Sequence, residues 1–268
     1  MREDEDAVSE LEIELVRGTS VVTRNVARTP LKLLTPQNHG HSAWVFSSSY
    51  GGGFVGKDDI RLRARVGEGA SLFLSSQASS KVYRETDASF ELDATVESAG
   101  VLVSWPDPIV CFRGARLSQA QRFVLAETAS AVVVDILTSG RMARGERWEF
   151  DSLRSRIAID RGGIPILREA LELSSRHGEL GPRMEDVDAV ATVVLSGPRC
   201  ASLSAGIEAA LREVAIAKEC VFSTSRSQDA FLLRAVATDA RLLTLRLRDL
   251  LGPAVAGLLG DDPLARKW

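Results

Sequence analysis

Two short segments of this chain gather residue types that can do chemistry. Residues 51–58, GGGFVGKD, come within one position of GxxxxGK[ST], the loop that cradles phosphates with backbone amides and a lysine. Asp58 replaces the hydroxyl that would hold magnesium, and Asp59 sets a second carboxylate where a triphosphate would carry its own charge. From Ile60 onward the pattern alternates as a strand does, whereas a phosphate cradle needs the amides of a helix N-terminus. The glycines therefore predict a sharp turn or a close approach between strands. A nucleotide-dependent enzyme remains only as a lesser alternative. The second segment is His39-Gly40-His41, whose imidazoles share a side of an extended backbone. Such a pair holds a transition metal weakly, since two ligands alone do not make a site, and an ordinary surface loop is the plainer reading.

Elsewhere the reactive residues are sparse. Three histidines and three cysteines (Cys111, Cys200, Cys220) are too few and scattered for a zinc ribbon, a zinc finger or an iron–sulfur cage. The serines at 47–49 lack the glycine two residues earlier that a GxSxG nucleophile turn requires. Charge instead gathers in loops expected at strand ends, where function is often placed. One holds Lys81, Tyr83 and Arg84; another holds Arg141, Arg144 and Glu146. Asp58, Glu146 and Asp107 are the carboxylates to test first, against the plainer reading of salt-bridged turns.

The elements that position these loops follow from periodicity. In residues 60–66, Arg61, Arg63 and Arg65 alternate with Ile60, Leu62, Ala64 and Val66, which is a strand with one wet and one buried face. Residues 90–97 repeat this with acidic partners, and residues 155–160 give a shorter version. Residues 100–105 and 131–137 are continuous β-rich runs, expected to be buried on both faces. No fixed-period repeat is obvious, although irregularly stacked strands need not show one. The C-terminal third predicts helices over 205–222, with Ser204 as cap, and over 228–251, stopped by Gly252-Pro253. On the second helix Arg234, Arg241 and Arg248 recur every seven residues and would share a face, either merely solvated or a dock for an acidic partner. Residues 174–188 read as a polar loop. The expected architecture is mainly β: one domain over residues 1–268, β-rich from about 11 to 200, with helices over about 204–252.

Composition narrows the function classes. A chain of 268 residues, 45% hydrophobic and 26% charged, has the makings of a real core, which excludes disorder, collagen and coiled coil. A net charge of -3 gives no footprint for nucleic acid. The odd cysteine count without CxxC predicts a reducing compartment. Residues 1–6 open acidic, unlike a signal peptide, and no run approaches the roughly 20 apolar residues of a membrane span. A cytoplasmic protein with no membrane contact is expected.

Four ordered blocks resemble the UreD family of urease accessory proteins, called UreH in some systems. They are residues 50–58 (YGGGFVGKD), residues 67–70 with 77–84 (GEGA and QASSKVYR), residues 105–116 (WPDPIVCFRGAR) and residues 140–146 (GRMARGE). Lys57 departs from the family's usual glycine before Asp58, and Asp59 is an extra carboxylate. The resemblance implies stacked, β-helix-like strands with α-helices near the C-terminus, and a scaffold rather than an enzyme. It implies binding to the urease structural subunits and to UreF, with the GTPase UreG, reached through UreF, bringing nickel. It also implies an internal passage for Ni2+ in transit, with no cofactor of the chain's own. On that view Asp58 and Glu146, with His39 and His41, touch nickel briefly. Lys81, Tyr83, Arg84, Arg141 and Arg144 form the passage or its structural loops, and Arg234, Arg241 and Arg248 offer a docking face. A purely structural adaptor is the alternative.

Overall fold

The computed structural model describes residues 8–37, 40–213 and 218–267. The acidic start and His39 lie outside the described residues. Five strands open the chain: β1 (Val8–Val16), β2 (Thr19–Val26), β3 (Leu31–Leu34), β4 (Ala43–Ser49) and the two-residue β5 (Gly53–Phe54). Stacked coils follow. One contains β6 (Asp59–Val66), β7 (Ser71–Ser76) and β8 (Ser80–Val82), and the next β9 (Asp87–Val96), β10 (Val101–Ser104) and β11 (Ile109–Cys111). The third holds β12 (Arg116–Leu125) and β13 (Ser130–Thr138), and β14 (Ser152–Arg161) leads out to the antiparallel β15 (Ile164–Ser174). After the short helix α1 (Leu180–Met184) come β16 (Ala189–Ser196), α2 (Ala201–Glu213), β17 (Cys220–Ser227), β18 (Ala230–Ala237), α3 (Ala240–Leu259) and α4 (Pro263–Lys267).

Two sheets result. One has the order β15-β14-β12-β9-β6-β1-β2, and the other runs β17-β18-β16-β13-β10-β7-β4-β3, with β5, β8 and β11 stacked beside it as a third short side. The central strands of both sheets pair in parallel, coil on coil, so the expected β-helix-like stacking is present. Partners in neighbouring coils lie 30, 29 and 36 residues apart, as in Asp59 with Ser89, Asp87 with Arg116 and Gln119 with Ser155. That unequal spacing hides the repeat from a fixed-period search.

Alternation does its work on the first sheet. Ile60, Leu62, Ala64 and Val66 enter the core between the sheets, and Arg61, Arg63 and Arg65 face out. In register, Arg61 lies beside Glu91, Arg63 beside Asp93 and Glu10, and Arg65 beside Glu12. Opposite charges on neighbouring strands make this outer face a neutralised mosaic. The runs 100–105 and 131–137 are buried on both faces, as expected. Their second face carries Val101, Val103, Val132, Val134 and Ile136 into another apolar layer, under the helices. There α3 lays Leu243, Leu247 and Leu251, each fully buried, at the four-residue spacing of one helical face.

The C-terminal third corrects the sequence reading. Helix α2 starts at Ala201, with Ser204 inside it, and spans Ala201–Glu213 among the described residues; residues 220–227 are strand. Residues 230–237 are also strand, so the helix expected from 228 begins only at Ala240, where the Asp239 carboxylate accepts the Leu242 amide at 2.7 Å. A short apolar run buried on both faces has no period to separate strand from helix, which is why Phe231 to Leu233 misled. Gly252-Pro253 does not stop α3. The helix continues over buried Val255, Leu258 and Leu259 to Gly260, whose left-handed φ of 73° makes the cap. Residues 174–188 are not all loop, since they include a 3-10 turn at Ser175–His177 and α1. Replacing Leu247 by Ala should lower unfolding free energy by about 2–5 kcal/mol in urea titrations. Exposed Leu245→Ala should stay within about 0.5 kcal/mol.

Candidate functional site

The turns between coils stack along one edge and hold most of the residues that the loops suggested. Asp58 closes its own turn, its Oδ2 accepting the Val55 amide at 2.8 Å. Asp59 pairs with Arg61 at 2.9 Å. Tyr83 donates its hydroxyl to the Gly51 carbonyl at 2.8 Å and meets Phe112 edge-on at 5.2 Å. Arg141 lies over the other partner of that contact, 4.2 Å from the Phe112 ring centre, and forks onto Glu146. Glu146 is buried and also accepts from Arg84. These charge-assisted bonds hold its carboxyl well below the usual range, at about 2, the Arg141 hydrogen bond contributing most. Lys81 and Arg144 are exposed on the same edge.

The remaining candidates are dispersed. Asp107 is buried, and its backbone amide donates to Ser76 Oγ at 2.8 Å. His41 abuts Gly260 at the end of α3, and its carbonyl accepts the Ser20 amide at 2.7 Å. Arg234 is not on a helix: it projects from β18, so the seven-residue stripe reduces to Arg241 and Arg248 on α3. Gly51 to Asp58 leads into β6 rather than a helix, so the turn lacks the amides of a phosphate cradle.

A cavity of about 170 Å³ lies between the sheets and opens where exposed Gly52 and Gln77 and half-buried Ser49 line it, and neither Asp58 nor Glu146 is among its walls. Its walls are apolar (Phe54, Ile60, Leu62, Leu74, Phe90, Ile109) and studded with hydroxyls from Ser47, Ser49, Ser75, Ser76 and Ser104. At its inner end stand Gln119 and Gln121, both inward-facing on β12. Gln119 donates to Asp135 Oδ1 at 3.1 Å and to Ser155 Oγ at 3.2 Å, and Ser155 donates to Asp135 Oδ2 at 2.5 Å. In the ladder of the second sheet Asp135 sits beside Thr192, and Thr192 beside Arg234. Arg234 reaches across to Glu169 of the first sheet at 2.6 Å. A polar seam thus crosses the apolar sandwich from one edge to the other.

The seam is built of oxygen donors and neutral amides, with Asp135 as its most deeply buried carboxyl. Burial pushes that carboxyl up from its ordinary value, and the Ser155 and Gln119 hydrogen bonds pull the other way. Burial pushes the Cys111 thiol up to about 12 and Cys200 to about 11, away from the thiolate form that binds metal. Among the described residues no cluster of three His, Cys, Asp or Glu is placed to cage a metal. The sequence reading passed over Gln119, Gln121, Asp135, Ser155, Thr192 and Glu169. The available signal was a polar residue at an inward position of a buried strand, Asp135 within residues 131–137 being the plainest case.

The Arg84–Glu146–Arg141 brace predicts a pH response. A depressed carboxyl contributes stability that is fully present above its ordinary value near 4.5 and is lost as pH falls toward about 2. Glu146→Gln should destabilise the fold by about 1–3 kcal/mol at pH 7 in urea titrations. The deficit should shrink as the pH of the titration is lowered through that window.

Comparison with known proteins shows the family. The family described as UreD urease accessory protein matches residues 5–268. A urease accessory protein UreD of Sorangium cellulosum is 47% identical over 261 residues, covering 97% of this chain and 83% of that protein. One from an Anaeromyxobacter species is 40% identical, covering 96% and 88%. A urease accessory protein D of Oryza sativa subsp. indica is 37% identical over 202 residues, covering 72% of this chain and 66% of the rice protein. With its stacked-coil fold and a match along nearly its whole length, the chain belongs to the UreD family of urease accessory proteins.

Proposed function

We propose that this chain is a cytoplasmic, non-enzymatic scaffold of urease maturation that carries nickel through its interior. It binds urease apoprotein and UreF, and UreG, recruited through UreF, hands Ni2+ to it. The observation that carries this reading is the polar seam, open at a cavity mouth and continued by Gln119, Asp135 and Ser155 through an otherwise apolar core. Buried polar groups are costly unless they are paired, so a row of them spanning a core calls for a purpose. A lining of hydroxyl, amide and carboxylate groups, without thiol or imidazole, suits an ion that must move on. Membership in a urease accessory family supports a role in urease maturation, and nickel is the cargo proposed for it. The turn edge, with Asp58 locked in its turn and Glu146 between two arginines, serves as the brace that keeps the coils stacked rather than as a carrier of metal. Arg241 and Arg248 remain candidates for the docking face.

A purely structural adaptor would have the same brace and the same docking face, and transit separates the two. Ser49, half-buried at the mouth and on the side of β4 that carries Ala43 and Val45 into the core, tolerates a larger side chain better than the seam's centre does. Ser49→Trp should leave co-purification with urease apoprotein and UreF unchanged while cutting the nickel content of matured urease at least several-fold, measured by elemental analysis. Full nickel loading by that variant would leave only the adaptor.

A further inference from the structure

The seam ends on an ion pair that joins the two sheets. Arg234 Nε and Nη2 donate to Glu169 Oε1 and Oε2 at 3.1 and 2.6 Å, a two-pronged contact between β18 and β15. Glu169 is aligned with Ile157 and Arg234 stands two residues after Leu232, and both of those apolar side chains lie in the core between the sheets. Glu169 and Arg234 therefore point across the same gap. The glutamate side chain is 15% exposed and the arginine 50%, so the cation is the member that solvent and a partner can reach. Strand order puts β18 and β4, which borders the cavity mouth, toward opposite ends of the second sheet. The row Asp135, Thr192, Arg234 carries the seam to this edge without a break in polarity.

From this geometry we infer that Arg234–Glu169 is a latch closing the seam at the edge opposite the cavity mouth. A carboxylate on a docked protein surface opens it by competing for Arg234, which leaves Glu169 free as the last oxygen ligand of the path. The inference rests on the transit reading and adds its regulation. A merely structural tie between the sheets would change stability and leave access to the seam unaltered.

The test reads access directly. Thr192→Cys places a thiol just inside the latch, and Ser155→Cys gives a second position should the first disturb folding. The three native cysteines are buried and set the background. Labelling by a small cationic methanethiosulfonate should be at least tenfold faster when Glu169→Gln or Arg234→Gln is added, with near-UV circular dichroism matching that of the parent. Adding urease apoprotein or UreF to the protein with its native pair should give a similar acceleration with the partner that docks there. Equal labelling rates with and without the pair, whether both fast or both slow, would overturn the latch, and no acceleration by either partner would overturn its opening by docking. Ser104→Cys, on the cavity wall, probes the other end. If it stays unlabelled the transit reading fails, while the Thr192 comparison still decides the latch.

Discussion

In-register parallel pairing is the constraint on which the rest of this structure depends. Each coil hands its backbone hydrogen bonds to the next, so the inward side chains of successive coils fall into rows. Apolar rows make the core. Where successive strands place Gln119 and Ser155 side by side, with Asp135 facing them from the other sheet, the row becomes a polar seam. A single buried polar residue would be a liability; three that satisfy one another form a feature the fold can keep.

The same constraint organises the surface. Rows of arginine on β6 lie between rows of glutamate and aspartate on β1 and β9, so the outer face of the first sheet is held neutral by its own register. At the turn edge, stacking brings Arg84 from one loop to Arg141 and Glu146 of another, and Phe112 sits beneath Arg141 and against Tyr83. The central strands of the second sheet are buried on both faces, with α3 covering their far side. That asymmetry, one wet sheet and one covered sheet, confines solvent access to the sandwich to its edges.

Much of this was legible in the residues. Alternation in 60–66 and 90–97 marks strands because a wet face and a dry face leave a period of two. The four glycine- and charge-rich blocks that resemble UreD are the turns that stack, and a turn's residue requirements are local. The seam was harder to see because its members are far apart in sequence and each is unremarkable alone. Gln119 and Ser155 come together only through pairing, and Asp135 was passed over inside a run read as buried throughout. The helix placed over 228–251 failed for a related reason: residues 230–233 are buried on both faces, and no period remains to distinguish strand from helix. The carboxylates chosen from the sequence, Asp58 and Glu146, are engaged in local bonds, since charge in loops is what sequence shows most readily.

The central claim is that a divalent ion enters the seam, and Ni2+ itself reports where it goes because it is paramagnetic. Side-chain and backbone resonances of the isotopically labelled chain, recorded during a Ni2+ titration, test this most directly. The account predicts selective broadening at Ser104, Gln119, Asp135 and Thr192. Broadening confined to the carboxylates of the turn edge and the outer face, with the seam resonances left sharp, would contradict it.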